Sequence, residues 1–177
     1  MIENGMLVAK AISNFTISLN LSARMLDQGD VFVRQVTDMI TKHGVRPAQV
    51  QFEILEKTRT INAKRAGTIE ILMSHGIRIA LDDYGEGHSK TLLQQMKSHR
   101  IPIHSMKIGS SITATAGNGD QKLQDCLVEG YEAGIRHFVP EGSKDHPVTE
   151  RQLDGLRQKQ EEWSDIDMEL EGPVRKA

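Results

Sequence analysis

Six polar side chains of the types that bind metal ions or move protons stand late in, or just after, the apolar segments of this chain. They are one amide, four carboxylates and one lysine: Asn20, Glu53, Asp82, Asp83, Glu141 and Lys107. Any one of the carboxylates, taken alone, also fits the start of a helix, where negative charge is favoured. Taken together they indicate a site for Mg²⁺ or Mn²⁺, because these ions prefer oxygen ligands. Two such ions about 3.5–4 Å apart suit phosphodiester chemistry.

The segments that must position these side chains alternate between strand and helix patterns. The predicted strands are residues 15–21, 50–55, 77–81, 105–108 and 136–139. The predicted helices are residues 31–43, 63–75, 92–96, 122–133 and 149–158. The strands recur about every 30 residues, the length of one strand–helix crossover, which predicts a parallel α/β sheet, open or closed into a barrel. The six polar side chains are then expected at one rim, at the carboxyl ends of the strands.

The chain length argues against a complete barrel. An eight-unit barrel takes about 250 residues, whereas this chain has 177 residues and five predicted strands. We therefore expect a partial barrel domain over residues 1–158, followed by an acidic C-terminal tail over residues 159–177.

The composition excludes several classes of protein. Lys and Arg total 22 against 24 for Asp and Glu, so the net charge of −2 does not provide the basic field of a nucleic-acid-binding protein. The single cysteine, Cys126, excludes an internal disulfide and a Cys-rich zinc site, and its apolar neighbours predict a core position. No apolar run approaches the roughly 18 residues of a membrane span. With no secretory signal at the N-terminus, a cytoplasmic location is expected.

Several segments, taken in order, resemble the EAL-type cyclic-di-GMP phosphodiesterases. They are Asn-Leu-Ser-Ala-Arg at 20–24, Phe-Glu-Ile-Leu-Glu at 52–56, Ile-Ala-Leu-Asp-Asp-Tyr-Gly-Glu-Gly at 79–87, Met-Lys-Ile at 106–108, Pro-Glu-Gly at 140–142 and Thr-Glu-Arg-Gln-Leu at 149–153. The resemblance covers residues 15–158. It implies a modified triosephosphate-isomerase-like (β/α) barrel that lacks the first strands and the last, in a family that cuts cyclic di-GMP to linear pGpG with two Mg²⁺ or Mn²⁺ ions.

The resemblance also implies which residues bind metal. Asn20, Glu53 and Asp82 match metal ligands of the family, and Asp82 is placed to bridge both ions. Asp83 matches a ligand of the second ion.

Three further residues match the family's catalytic and supporting positions. Lys107 matches the lysine that contacts and helps to activate the attacking water. Glu141 matches the glutamate that supports that centre, and Glu56 matches the residue that anchors the loop after the Asp-Asp pair.

The chain also departs from the family pattern. The Glu-Ala-Leu motif that names the family lies well upstream of the position of Asn20, where this chain has no room for it. Its glutamate is a metal ligand, and even a group that only supports a ligand is worth roughly 10–100-fold in affinity or activity. In the loop after the Asp-Asp pair, Glu86 replaces a threonine, and Gly109 replaces an aspartate after Lys-Ile. Hydrolysis by this chain alone is therefore expected to be weak or absent.

Three functional hypotheses follow. The chain is a shortened phosphodiesterase, completed by a partner chain; or it is a non-catalytic regulatory module that acts by protein–protein contact or nucleotide sensing; or it is a truncated reading frame that folds poorly. In the first two, the unfinished barrel edges are surfaces that a protein partner or a second copy could cover.

Overall fold

The computed structural model describes residues 2, 3, 6 and 10, the ranges 15–113 and 119–142, and residues 148–149, 158, 160–163, 165–168 and 174–175. The main strands are β1 (Ile17–Leu21), β2 (Val50–Ile54), β3 (Arg78–Tyr84), β4 (Ser105–Ile108) and β5 (His137–Pro140), followed by the two-residue strands β6 (Val148–Thr149), β7 (Asp167–Met168) and β8 (Val174–Arg175). The helices are α1 (Ala23–Asp27), α2 (Asp30–His43), α3 (Ala63–Ser74), α4 (Ser89–Ser98), α5 (Ser110–Thr113) and α6 (Gly119–Glu132), and 3₁₀ turns cover Pro47–Gln49 and Glu56–Thr58.

Within the described residues, six strands form one parallel sheet in the order β1-β2-β3-β4-β5-β7, and β6 pairs with β8 separately. All five predicted strands are present, and a helix follows each of the first four. The predicted parallel α/β architecture is thus confirmed.

The two faces of this sheet differ in polarity because side chains alternate along each strand. One face is apolar and carries the buried residues Leu19, Phe52, Ile79, Met106 and Phe138. The helices pack there, as the contact between the Phe32 ring of α2 and the Phe52 ring shows, with 5.6 Å between ring centroids. The opposite face is polar and lines an open cavity of about 670 Å³, whose walls include Ser18, Gln51, Arg78, His104 and His137.

Local signals in the sequence set the limits of the helices. Ser22 and Asn62 precede α1 and α3, and their side chains accept hydrogen bonds from the backbone N–H groups of Met25 and Arg65. Gly44 ends α2 in the left-handed conformation, with φ of 64°, and its N–H bonds to the carbonyls of the last turn.

The C-terminal region differs from the sequence expectation. Thr149, predicted to begin a helix, lies in strand β6, and residues 150–157 lie outside the described residues. Part of the predicted acidic tail packs onto the fold: β7 pairs with β5, and Ile166 is buried. The Trp163 ring stacks on Tyr131 at 4.4 Å between centroids. A two-residue strand is too short to produce an alternating pattern in the sequence.

No helix in the part of the chain that the structure describes combines the length and the apolar character that a membrane span requires.

Candidate metal centre

The parallel register brings the predicted polar residues to one rim of the sheet. Asn20 pairs with Glu53, and Glu53 pairs with Ala80. Asp82 lies two residues beyond Ala80, so it extends towards the rim on the same face. On the next strand, Ser105 pairs with Ala80 and places Lys107 at the height of Asp82. The N–H of Glu141 donates to the carbonyl of Ile108 at 2.9 Å, which fixes Glu141 beside β4.

Asp82 and Asp83 reach the same site through a distortion of β3. The sequence predicts that they share a site because the strand ends there, but β3 continues to Tyr84. The pairing with β4 shifts register between Leu81 and Tyr84, and Asp83 has a φ of 48°. The irregularity re-aims one side chain, as β-bulges near functional sites do, and both carboxylates reach the rim.

Three carboxylates converge at this point. Oxygen atoms of Asp82, Asp83 and Glu141 all lie within 4.8 Å of one another, and each residue is partly buried. A set of hard oxygen donors fits Mg²⁺, Mn²⁺ or Ca²⁺ better than a soft metal. The residues present therefore fit the divalent cation that the sequence predicts.

Lys107 lies among the carboxylates of the rim. Its Nζ is 2.6 Å from Glu141 Oε1, 3.5 Å from Asp82 Oδ1 and 3.7 Å from Glu53 Oε1, and its side chain is only 13% exposed. Burial disfavours the charged form, but the hydrogen bond to Glu141 and the negative charges of Glu53, Glu141 and Asp82 outweigh it and raise the pKa of Lys107. Lys107 is therefore a cation throughout the physiological pH range.

The surroundings of Asp83 disfavour its charged form. Burial, followed by the charges of Asp82 and Glu86, raises the pKa of the Asp83 carboxyl group, and Lys107 only partly offsets this. A bound cation would relieve the repulsion, because an opposite charge favours the ionised form.

The other predicted site residues lie around this centre. Glu53 is buried and faces Lys107, whereas Asn20 is exposed beside it in register. Glu56 packs its carboxylate directly against Gly87 in the loop after the Asp-Asp pair, where a side chain at position 87 would collide with it. This contact agrees with the predicted role of Glu56 as an anchor of the loop, which stays a prediction.

Glu129 is a supporting residue that the sequence analysis missed. Its carboxylate accepts a hydrogen bond of 2.7 Å from the buried Tyr84 hydroxyl and one of 2.6 Å from Lys90. These contacts tie α6 and α4 to the end of β3. Glu129 lies 45 residues after Tyr84, and no local pattern marks it.

We expect Tyr84→Phe to lower the free energy of unfolding by about 1–2 kcal/mol, because it removes a hydrogen bond to a charged and partly exposed acceptor while keeping the packed ring. Urea denaturation monitored by circular dichroism measures this change. Tyr131→Phe is the control, since the Tyr131 hydroxyl makes only a 3.3 Å contact with the exposed Asp165. An equal loss in the two variants would contradict the role given to the Tyr84–Glu129 bond.

A parallel α/β sheet with helices on one face and a carboxylate cluster at its carboxyl rim is the arrangement of the barrel-type α/β class. The family model of the EAL domain matches residues 2–129. The chain belongs to the EAL domain family, which includes cyclic-di-GMP phosphodiesterases, and its fold is of the corresponding triosephosphate-isomerase-like type.

Two relatives align with just over half of this chain. The signaling protein YkoW of Bacillus subtilis is 30% identical over 99 residues, which are 55% of this chain and 12% of YkoW. The bifunctional diguanylate cyclase/cyclic di-GMP phosphodiesterase MucR of Pseudomonas aeruginosa is 29% identical over 97 residues, which are 54% of this chain and 13% of MucR. The chain thus spans only a small part of the length of these relatives.

Solved structures show the same fold. The PaMucR phosphodiesterase in complex with c-di-GMP superposes with a TM-score of 0.72 at 23% identity, covering 89% of this chain and 68% of that one. The manganese/cy-diGMP complex of Klebsiella pneumoniae BlrP1 superposes with a TM-score of 0.65 at 22% identity, covering 78% and 35%.

Proposed function

We propose that this chain is a cyclic-di-GMP-binding EAL module whose rim holds Mg²⁺ or Mn²⁺ and which hydrolyses cyclic di-GMP to pGpG slowly. The observation that carries the proposal is the convergence of Asp82, Asp83 and Glu141 beside Lys107. The choice of substrate is supported by the chain's membership of the EAL family and by the bound nucleotide in the MucR and BlrP1 structures.

The roles of the carboxylates follow from their positions. Asp82 and Asp83, with Glu53 and Asn20 beside them in register, would hold the cation, and Glu141 lies within reach of the same ion. A divalent cation bound there supplies a water of lowered pKa and neutralises charge on the phosphate. Because Asp82 and Asp83 are adjacent at the irregularity of β3, the backbone would hold these two ligands at a fixed separation.

Lys107 acts as a fixed positive charge in this proposal. Its raised pKa means that it does not accept a proton from water at neutral pH. One of its donor hydrogens bonds to Glu141, and its positive charge would orient the attacking water and the phosphate oxygens while Glu141 and Glu53 hold the ammonium in place.

The test is incubation of the purified chain with cyclic di-GMP and Mn²⁺, with chromatographic detection of linear pGpG. We expect a low, metal-dependent yield that Glu53→Gln abolishes, since this change removes a buried negative charge facing Lys107. Glu70→Gln, at an exposed position of α3, is the matched control and should leave the yield unchanged.

The alternative is a non-catalytic module that binds the nucleotide. The carboxylate of Glu86 in the loop after Asp82 and Asp83 favours it, because its negative charge disfavours the ionised form of Asp83 and raises the pKa of that carboxyl group after the larger effects of burial and Asp82. Isothermal titration with cyclic di-GMP in the presence of Ca²⁺ measures binding separately from hydrolysis. Binding in this titration, together with no pGpG in the assay with Mn²⁺, supports the alternative. Neither binding nor product from a folded sample rejects both.

A further inference from the structure

Glu86 makes a contact that its position in a metal-site loop does not require. Its Oε1 atom accepts hydrogen bonds from the Ser111 hydroxyl at 2.6 Å and from the Ser111 N–H at 3.2 Å. The carboxylate is therefore bonded to helix α5, which follows the strand that carries Lys107.

The Glu86 side chain also packs directly against Gly109. A Cβ atom added at position 109 would be 2.5 Å from Glu86 Oε1, 2.8 Å from Cδ and 2.9 Å from Cγ. Unlike Gly85 and Gly87 in the loop, Gly109 is not among the glycines with positive φ, so its backbone conformation is open to other residues. The space beside Gly109 is thus occupied by the Glu86 carboxylate, which Ser111 holds there, whereas the backbone at position 109 does not require glycine.

Helix α5 links this contact to the opposite side of the site. The Thr113 hydroxyl, at the end of α5, donates to the carbonyl of Glu141, and the Glu141 N–H donates to the carbonyl of Ile108. On the loop side, the N–H of Gly109 donates to the Tyr84 carbonyl at 3.1 Å. A Cβ at Gly85 would meet Ile112 of α5 at 2.7 Å, so the loop also packs closely on the apolar side of this helix.

We propose that Glu86 and Gly109 form an interdependent lock that fixes the loop following Asp82 and Asp83 onto α5, and so sets the distance of both aspartates from Glu141. Glu86 is a positioning residue in this arrangement, and the lack of a side chain at Gly109 leaves the space that Glu86 occupies. The part of the inference that concerns metal binding rests on the proposed function, whereas the lock itself is a property of the metal-free protein.

The lock is tested with a double-mutant cycle of Glu86→Ala and Gly109→Ala. We expect Gly109→Ala alone to lower the melting temperature by about 5 °C, because its new methyl group collides with Glu86. In the Glu86→Ala background the same change should cost less than about 2 °C, because the collision partner is gone. Additive shifts would overturn the inference.

The test stays decisive if Gly109→Ala does not fold. A Gly109→Ala chain that folds only together with Glu86→Ala shows the same coupling in its strongest form. If neither Gly109→Ala nor the double variant folds, a second cycle of Glu86→Ala with Ser111→Ala, at an exposed position, replaces the first, and additivity there rejects the lock. Gly67→Ala in α3 is the matched glycine control, because a Cβ at that position meets nothing within 4 Å.

The affinity for Mn²⁺ tests whether the lock positions Asp82 and Asp83 or only stabilises the fold. At a temperature where every variant is folded, we expect Gly109→Ala to weaken Mn²⁺ binding roughly 10-fold, the size of effect expected for a group that supports metal ligands. Glu86→Gln, which keeps the acceptor for Ser111 and the packing on Gly109, should retain near wild-type affinity. Wild-type affinity in Gly109→Ala would overturn the positioning role.

A wild-type chain that binds no Mn²⁺ would contradict the proposed function instead, and the melting-temperature cycle would still decide the lock.

Discussion

Lys107→Met is expected to lower the free energy of unfolding of the metal-free protein by about 3 kcal/mol at neutral pH. The substitution keeps the length of the side chain but leaves Glu53, Asp82 and Glu141 facing one another without the cation that separates them. Removing one partner of a buried ion pair typically costs about 3–5 kcal/mol, and the partial exposure of this site places the value at the lower end. Urea denaturation monitored by circular dichroism measures the loss.

A bound cation should reduce the loss in this variant. Millimolar Mn²⁺ supplies replacement positive charge at the same carboxylates.

Lys90→Met is the matched control for this prediction. The Lys90 Nζ is 2.6 Å from Glu129 Oε1, but the two side chains are 60% and 37% exposed. Exposed ion pairs contribute less than about 1 kcal/mol. Equal losses in Lys90→Met and Lys107→Met would show that Lys107 does not neutralise a buried cluster.

The strands and their common rim could be predicted from the sequence because both depend on local, periodic information. The prediction for β4 matches the observed strand Ser105–Ile108, and the other four main strands lie within two or three residues of their predicted limits. Parallel pairing then brings the carboxyl ends together without further information. This is why Asp82, Lys107 and Glu141 could be assigned to one rim before any distance was known.

What the sequence could not reveal depends on contacts between distant residues. Glu86 and Gly109 appear in the sequence as two separate departures from the family pattern, but in the structure they are one contact. Ser111, which completes it, lies 25 residues after Glu86. The register shift that brings Asp83 beside Asp82 also depends on pairing with β4, for which single-strand alternation carries no signal.

Asp83→Asn is expected to stabilise the metal-free protein and to weaken metal binding in the same step. Burial and the charges of Asp82 and Glu86 raise the pKa of Asp83, so its ionised form is disfavoured in the folded state. For a carboxyl group whose pKa is raised by folding, stability falls as the pH increases from the unfolded pKa, near 4, through the folded value. Asparagine removes this cost at neutral pH and tolerates the left-handed backbone at φ of 48°.

The two effects are separable by measurement. We expect the melting temperature of the metal-free variant to rise by about 3 °C at neutral pH and to converge on that of the wild type as the pH falls below about 4, where the Asp83 carboxyl group becomes protonated in the folded and the unfolded state alike. Its Mn²⁺ affinity, measured by isothermal titration, should fall at least roughly 10-fold because a neutral amide replaces a charged ligand. Asp38→Asn, at an exposed position of α2, should change neither quantity. A variant that is more stable yet binds Mn²⁺ as well as the wild type would place the metal ligands elsewhere, whereas a variant that loses both would show that Asp83 serves the fold and not the site.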